Sequence, residues 1–115
     1  MDDEPEILEI VRDTLELEGY RVYTASSARQ GIELYERFSR EIGLVLLDYL
    51  MPEMNGDLVY DCLRARNPDV RVILVTACDD NVARKMFERV LRGYIQKPFY
   101  LGDLIQRVRE EMEDE

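Results

Sequence analysis

Apolar positions recur along the chain with two periodicities, one typical of helices and one typical of strands. The helical spacing predicts five helices, over residues 5–18, 27–39, 57–66, about 80–91 and from about 101 onward. Apolar runs or strict alternation predict four strands, over residues 20–25, 44–47, 70–76 and 93–96. The regular alternation of the two element types predicts an α/β fold, an open parallel sheet with helices on both faces.

The strand patterns differ in a way that indicates position in the sheet. Residues 44–47 read Leu-Val-Leu-Leu, and an unbroken apolar run is typical of a parallel strand covered on both faces. Residues 20–25 alternate and predict an edge strand. Local signals mark helix ends: Gly19 stops the first helix, and Ser27 with Gln30 forms a capping-box pattern at the start of the second.

Composition narrows the possible functions. The 115 residues predict one domain, 1–115. Lys and Arg total 15 against 25 for Asp and Glu, a net charge of −10, which argues against binding to nucleic acids or anionic membrane surfaces. The absence of histidine excludes imidazole relays and histidine-bound zinc. Two cysteines are too few for a disulfide framework, and no apolar stretch could span a bilayer, so we expect a cytoplasmic protein with reduced thiols.

Candidate chemistry lies where strands end. Asp48, Thr76 and Lys97 each follow a strand, and ligand sites of such sheets lie beyond the carboxyl ends of the strands. Asp2 and Asp3 precede the first helix, where acids favour the helix dipole. Together with Asp48 the pair would form a carboxylate cluster, and oxygen-only ligands suit Mg2+.

Four segments resemble the signature blocks of the response-regulator receiver domain of two-component signalling: MDDEPEI, LVLLDYLMPEMNG, VILVTA and YIQKPF. Their order and spacing match the family over nearly the whole chain. The resemblance implies a flavodoxin-like receiver fold. It makes Asp48 the phospho-accepting aspartate, with Thr76 bonding the phosphoryl group through its hydroxyl and Lys97 pairing with it through its ammonium.

The same resemblance implies a metal site and a switch residue. Asp3 corresponds to the direct Mg2+ ligand and Asp2 to its acidic neighbour, with Asp48 and the backbone carbonyl of Leu50 completing the protein ligands. Tyr94 corresponds to the switch aromatic. The bond before the proline that follows Lys97 is commonly cis in the family.

These roles imply a phosphorylation-dependent switch rather than an enzyme, with at most Mg2+-assisted self-phosphorylation and self-dephosphorylation. A histidine kinase or phosphotransfer protein would supply the phosphoryl group, and a downstream protein would read the change. The alternative is a degenerate receiver that acts as a phosphorylation-independent interaction module.

One feature departs from the family, which has an apolar strand directly before the acidic pair. Here Met1 stands in front of Asp2. Three accounts compete: a misassigned or trimmed start, a strand 20–25 that moves in to pair with 44–48, or association of two chains that covers the gap. We expect a four-stranded sheet with self-association.

Overall fold

The computed structural model describes residues 1–77 and 93–113, which contain four helices and three strands. The helices are α1 (Pro5–Leu17), α2 (Ala28–Phe38), α3 (Gly56–Arg66) and α4 (Leu101–Glu113), and the strands are β1 (Val45–Leu47), β2 (Val72–Thr76) and β3 (Gly93–Gln96). The helix predicted at about 80–91 lies outside the described residues. None of the described helices combines the length and apolar character that crossing a membrane requires.

The three strands form a parallel sheet in the order β1–β2–β3. In the register, Leu47 lies beside Leu74, which lies beside Tyr94. Apolar side chains cover both faces of the sheet, since one core cluster joins it to α2 and α3 and a second joins it to α1 and α4. This confirms the α/β fold with helices on both faces, and it places the carboxyl ends of all three strands at one edge.

The structure shows the helix-end signals predicted at Gly19 and at Ser27 with Gln30. Gly19 has a φ of 95°, a left-handed conformation that favours glycine, and it follows the end of α1. The Ser27 side chain accepts a hydrogen bond from the Gln30 amide at 3.1 Å. The Gln30 side chain in turn accepts a hydrogen bond from the Ser26 amide through Oε1 at 2.8 Å, one residue earlier than in a standard capping box.

The prediction of a strand at residues 20–25 is wrong, because these residues form no strand in the structure. The described sheet has three strands rather than four. The account in which this segment pairs directly with 44–48 is also wrong, because Met1 lies between them. The Met1 amino group donates to the Leu46 carbonyl, and the Asp2 amide donates to the Ala25 carbonyl. A strand needs successive ladder bonds with a neighbour, and the alternating pattern alone could not show that residues 20–25 lack one.

Gly56 begins α3 at a close backbone approach. A Cβ atom there would lie 2.9 Å from the Cα atom of Tyr49, whose carbonyl accepts the Gly56 amide at 2.8 Å. We expect Gly56→Ala to lower the free energy of unfolding by about 1 kcal/mol in urea titrations. This is an overpacking cost of roughly 1–3 kcal/mol, offset by about 0.5–1 kcal/mol of helix propensity.

Gly102 provides the matched control for Gly56. It lies in α4, and a Cβ atom there would meet no described atom within 4 Å. Gly102→Ala should therefore raise the free energy of unfolding by about 0.5–1 kcal/mol. Equal stability of the two variants would contradict the steric argument.

Candidate functional site: a lysine among carboxylates at the strand ends

The Lys97 ammonium lies at the centre of the site. It contacts carboxylate oxygens of Asp2 at 2.6 Å, Glu4 at 2.9 Å and Asp48 at 3.1 Å. The side chains of Lys97, Asp2 and Asp48 are 10%, 8% and 6% exposed, whereas that of Glu4 is 59% exposed. Two of the three ion pairs are therefore largely removed from water, where electrostatic interactions are strong.

The backbone orients both buried carboxylates. Asp48 follows β1, and its Oδ1 atom accepts the Leu50 amide at 3.1 Å while its Oδ2 atom faces Lys97. Asp2 precedes α1, and its Oδ1 atom accepts the Glu4 amide at 3.0 Å while its Oδ2 atom faces Lys97. Each carboxylate thus has one oxygen held by the main chain and one oxygen turned towards the centre of the site.

The pKa values of Asp2 and Lys97 are both raised, for different physical reasons. Burial raises the pKa of Asp2 above its ordinary value, and the hydrogen bond from Lys97 opposes this effect. Burial alone would lower the pKa of Lys97, but hydrogen bonds to Asp2, Glu4 and Asp48 outweigh it and hold that pKa above its usual range. Lys97 is therefore a permanent cation at neutral pH.

The predicted metal-binding acids also meet here. Asp2, Asp3 and Asp48 each offer a carboxylate oxygen, and these atoms lie within 4.8 Å of one another. Asp3 is exposed, while Asp2 and Asp48 are buried. Hard oxygen donors at this separation, open to solvent on the Asp3 side, fit Mg2+, which retains several water ligands when bound by protein carboxylates.

The remaining predicted residues are placed as follows. Thr76 ends β2 in register with Gln96, and its side chain is not among the described atoms. Tyr94 lies in β3, half-buried against the core cluster that includes Leu74. Leu50 is exposed, and its amide donates to Asp48. Neither observation involves the Leu50 carbonyl, whose role as a metal ligand stays a prediction. The Lys97–Pro98 bond is cis, as the resemblance led us to expect.

Glu4 is the contact that sequence reasoning missed. It directly follows the acidic pair, and its carboxylate reaches Lys97 from the residue before α1. The run of three acids at residues 2–4 was the available signal. It did not separate an acid that enters the site from one that only favours the helix dipole.

Comparison with known proteins identifies the family to which the chain is similar. A family model described as the response regulator receiver domain matches residues 1–109. The probable transcriptional regulatory protein TcrX of Mycobacterium tuberculosis is 33% identical over 111 residues, which are 95% of this chain and 46% of that protein. The chain spans less than half the length of the curated relatives it matches.

Solved structures agree in fold. A response regulator receiver domain protein from Clostridium thermocellum superposes with a TM-score of 0.90 at 27% identity, covering 97% of this chain and 90% of that one. The response regulator TrrA of Thermotoga maritima, in complex with Mg2+ and BeF, has a TM-score of 0.79 at 31% identity, covering 96% and 93%. Since the family match extends from residue 1 to residue 109, the chain belongs to the response regulator receiver domain family, whose members are signalling switches of two-component systems.

Proposed function

We propose that this chain accepts a phosphoryl group on Asp48 in a Mg2+-dependent reaction and acts as a phosphorylation-controlled switch. The observation that carries the proposal is the contact at 3.1 Å between Lys97 Nζ and Oδ2 of the buried Asp48, beside the carboxylates of Asp2 and Asp3. It joins a carboxylate nucleophile to a permanent cation at the point where a transferred phosphoryl group would be neutralised.

In this proposal the Asp48 Oδ2 atom attacks phosphorus, the bond from phosphorus to the donor breaks, and an acyl phosphate forms. The leaving group is imidazole of a partner's phosphohistidine or acetate of acetyl phosphate. The Lys97 ammonium would then bond the phosphoryl oxygens in place of the Asp48 carboxylate. To reach them, it would give up its contacts with Asp2 and Glu4. A magnesium ion held by Asp2, Asp3, Asp48 and the Leu50 carbonyl would supply charge neutralisation.

The proposed readout uses the other two predicted residues. The Thr76 hydroxyl would bond the phosphoryl group, and Tyr94 would shift as β2 responds. Tyr94 is suited to this because it is half-buried and lies in register with Leu74, two residues before Thr76. A downstream protein would then read the altered face around β3 and α4. A cytoplasmic histidine kinase or phosphotransfer protein is the donor in this proposal.

Acetyl phosphate with saturating Mg2+, followed by intact-mass measurement, tests the proposal. We expect one phosphoryl adduct on the parent chain, at least about tenfold less in EDTA, and none on Asp48→Asn. Asp61→Asn is the matched control, because Asp61 is an exposed acid on α3 outside the site and should leave the adduct unchanged.

A second candidate function rests on the same lysine. Because Lys97 already bonds three carboxylates, the charge of the pocket is partly neutralised without metal, which is compatible with a phosphorylation-independent interaction module. No adduct on the parent chain under saturating Mg2+ would refute the switch and favour this module.

A further inference from the structure

The three carboxylates around Lys97 fall into two groups. An ammonium has three N–H donors, and that of Lys97 donates to Asp2 at 2.6 Å, to Glu4 at 2.9 Å and to Asp48 at 3.1 Å. Asp2 and Asp48 also belong, with Asp3, to the acids whose oxygens lie close enough to hold a metal ion. Among the described residues, Glu4 is thus the partner of Lys97 that stands outside this metal-binding group.

Metal binding would set two cations against each other. Oδ2 of Asp2 and Oδ2 of Asp48 both face Lys97, and a divalent cation on these carboxylates would repel the ammonium. The Lys97 side chain is only 10% exposed, and a largely buried ammonium that loses its partners is costly. The lysine therefore needs a carboxylate that the metal does not occupy.

The position of Glu4 suits it to this task. Its amide donates to Asp2 Oδ1 at 3.0 Å, which fixes the Glu4 backbone directly beside a predicted metal ligand. Its side chain is 59% exposed and makes no capping hydrogen bond to α1, although Glu4 is the N-cap residue. The backbone is therefore held in place, while the carboxylate is free to follow the ammonium.

We propose that Glu4 is a positioning residue that retains the Lys97 ammonium when Mg2+ occupies the carboxylates of Asp2, Asp3 and Asp48. The inference rests on the Mg2+ site of the proposed function. Because the displaced lysine keeps one ion pair, the metal displaces it at lower cost and binds more tightly. Lys97 then stays within the site until phosphoryl oxygens replace the Glu4 carboxylate.

Calorimetric titration with Mg2+ tests this role. Glu4→Gln keeps the length of the side chain and removes its charge, and it should weaken Mg2+ binding about fivefold. Glu6→Gln is the matched control, because Glu6 is an exposed acid in the first turn of α1 and the change in net charge is the same. It should weaken Mg2+ binding less than about twofold.

The Lys97→Met background separates retention of the lysine from the direct attraction between Glu4 and Mg2+. In that background there is no ammonium to retain, so Glu4→Gln and Glu6→Gln should give Mg2+ affinities within about twofold of each other. An equal loss of affinity from Glu4→Gln in the two backgrounds would overturn the inference. So would a Glu4→Gln variant that binds Mg2+ as tightly as the parent chain or as Glu6→Gln.

NMR of the lysine ammonium groups follows the contact directly. The chain has two lysines, Lys85 and Lys97, so isotope-labelled lysine gives two ammonium signals, and Lys97→Met assigns them. An ammonium bonded to a carboxylate is protected from proton exchange with water. At saturating Mg2+ the Lys97 signal should persist in the parent and be lost in Glu4→Gln. Persistence in both chains would contradict the retaining role.

These measurements also distinguish the inference from the proposed function. A parent chain that binds Mg2+ but forms no adduct with acetyl phosphate would refute the phosphoryl-accepting switch. The Mg2+ affinities and the ammonium signal would still decide the role of Glu4. A parent chain that binds no Mg2+ would overturn both.

Discussion

Lys97→Met is expected to lower the free energy of unfolding by about 3 kcal/mol at pH 7 in the absence of divalent cations. The substitution leaves Asp2 and Asp48 buried and facing each other without the ammonium that bonds both. The ion pair between Lys97 and Glu4 contributes little to this loss of stability, because the Glu4 side chain is largely exposed and its charge is screened by water. Urea unfolding in EDTA measures the loss.

Mg2+ should recover most of that loss, because a divalent cation can neutralise the same carboxylates. In the parent chain, by contrast, Mg2+ bound at the proposed site would compete with Lys97 for Asp2 and Asp48. Lys97→Met should therefore bind Mg2+ several-fold more tightly than the parent and gain more stability from it at each concentration. A variant as stable as the parent in EDTA would contradict the central role of Lys97.

Two controls sharpen this result. Arg29→Met removes an exposed pair with Glu33, whose side chains are 84% and 62% exposed, and should change stability by no more than about 0.5 kcal/mol. Asp48→Asn in the Lys97→Met background should be stabilising, since it removes one of the repelling carboxylates. The same substitution in the parent removes a partner of Lys97, so a double-mutant cycle should show strong coupling between the two positions.

The sequence allowed the grouping of Asp48 and Lys97 to be predicted because it depends on topology alone. The patterns at residues 44–47, 72–75 and 93–96 indicate parallel strands, and parallel strands end at one edge of a sheet. Any polar residue directly after such a run reaches that edge. The cluster of Asp2, Asp3 and Asp48 followed from the same reasoning once the acidic pair was set beside the end of β1.

The burial of Asp2 and the reach of Glu4 could not be predicted in this way. Acids before a helix are ordinarily solvated, and the pattern of residues 2–4 does not distinguish the three carboxylates. Their difference arises because Met1 pairs with Leu46, which draws Asp2 between β1 and Ala25 and leaves Asp3 outward. The failure at residues 20–25 has the same origin, since strand formation depends on a neighbour that the segment's own pattern does not encode.

The buried amino group of Met1 should make stability depend on pH between about 6 and 8. Burial lowers the pKa of this ammonium from 8.0 to about 6, and the nearby charges of Asp2 and Asp48 only partly oppose the effect. In that interval the unfolded chain binds a proton that the folded chain does not. The free energy of unfolding therefore rises with pH, is fully gained above pH 8 and is lost as the pH falls through 6.

The expected gain from pH 6 to pH 8 is about 2 kcal/mol, measured by urea unfolding in EDTA. The chain suits this measurement because it has no histidine, the side chain that ordinarily titrates in this interval. The raised pKa of Asp2 acts in the opposite direction, since a folded state that binds its proton more readily loses stability as the pH rises above 3.8. Acetylation of the Met1 amino group removes the first effect and keeps the second. The acetylated chain should show no gain, and a rise equal to that of the free chain would assign the titration to another group.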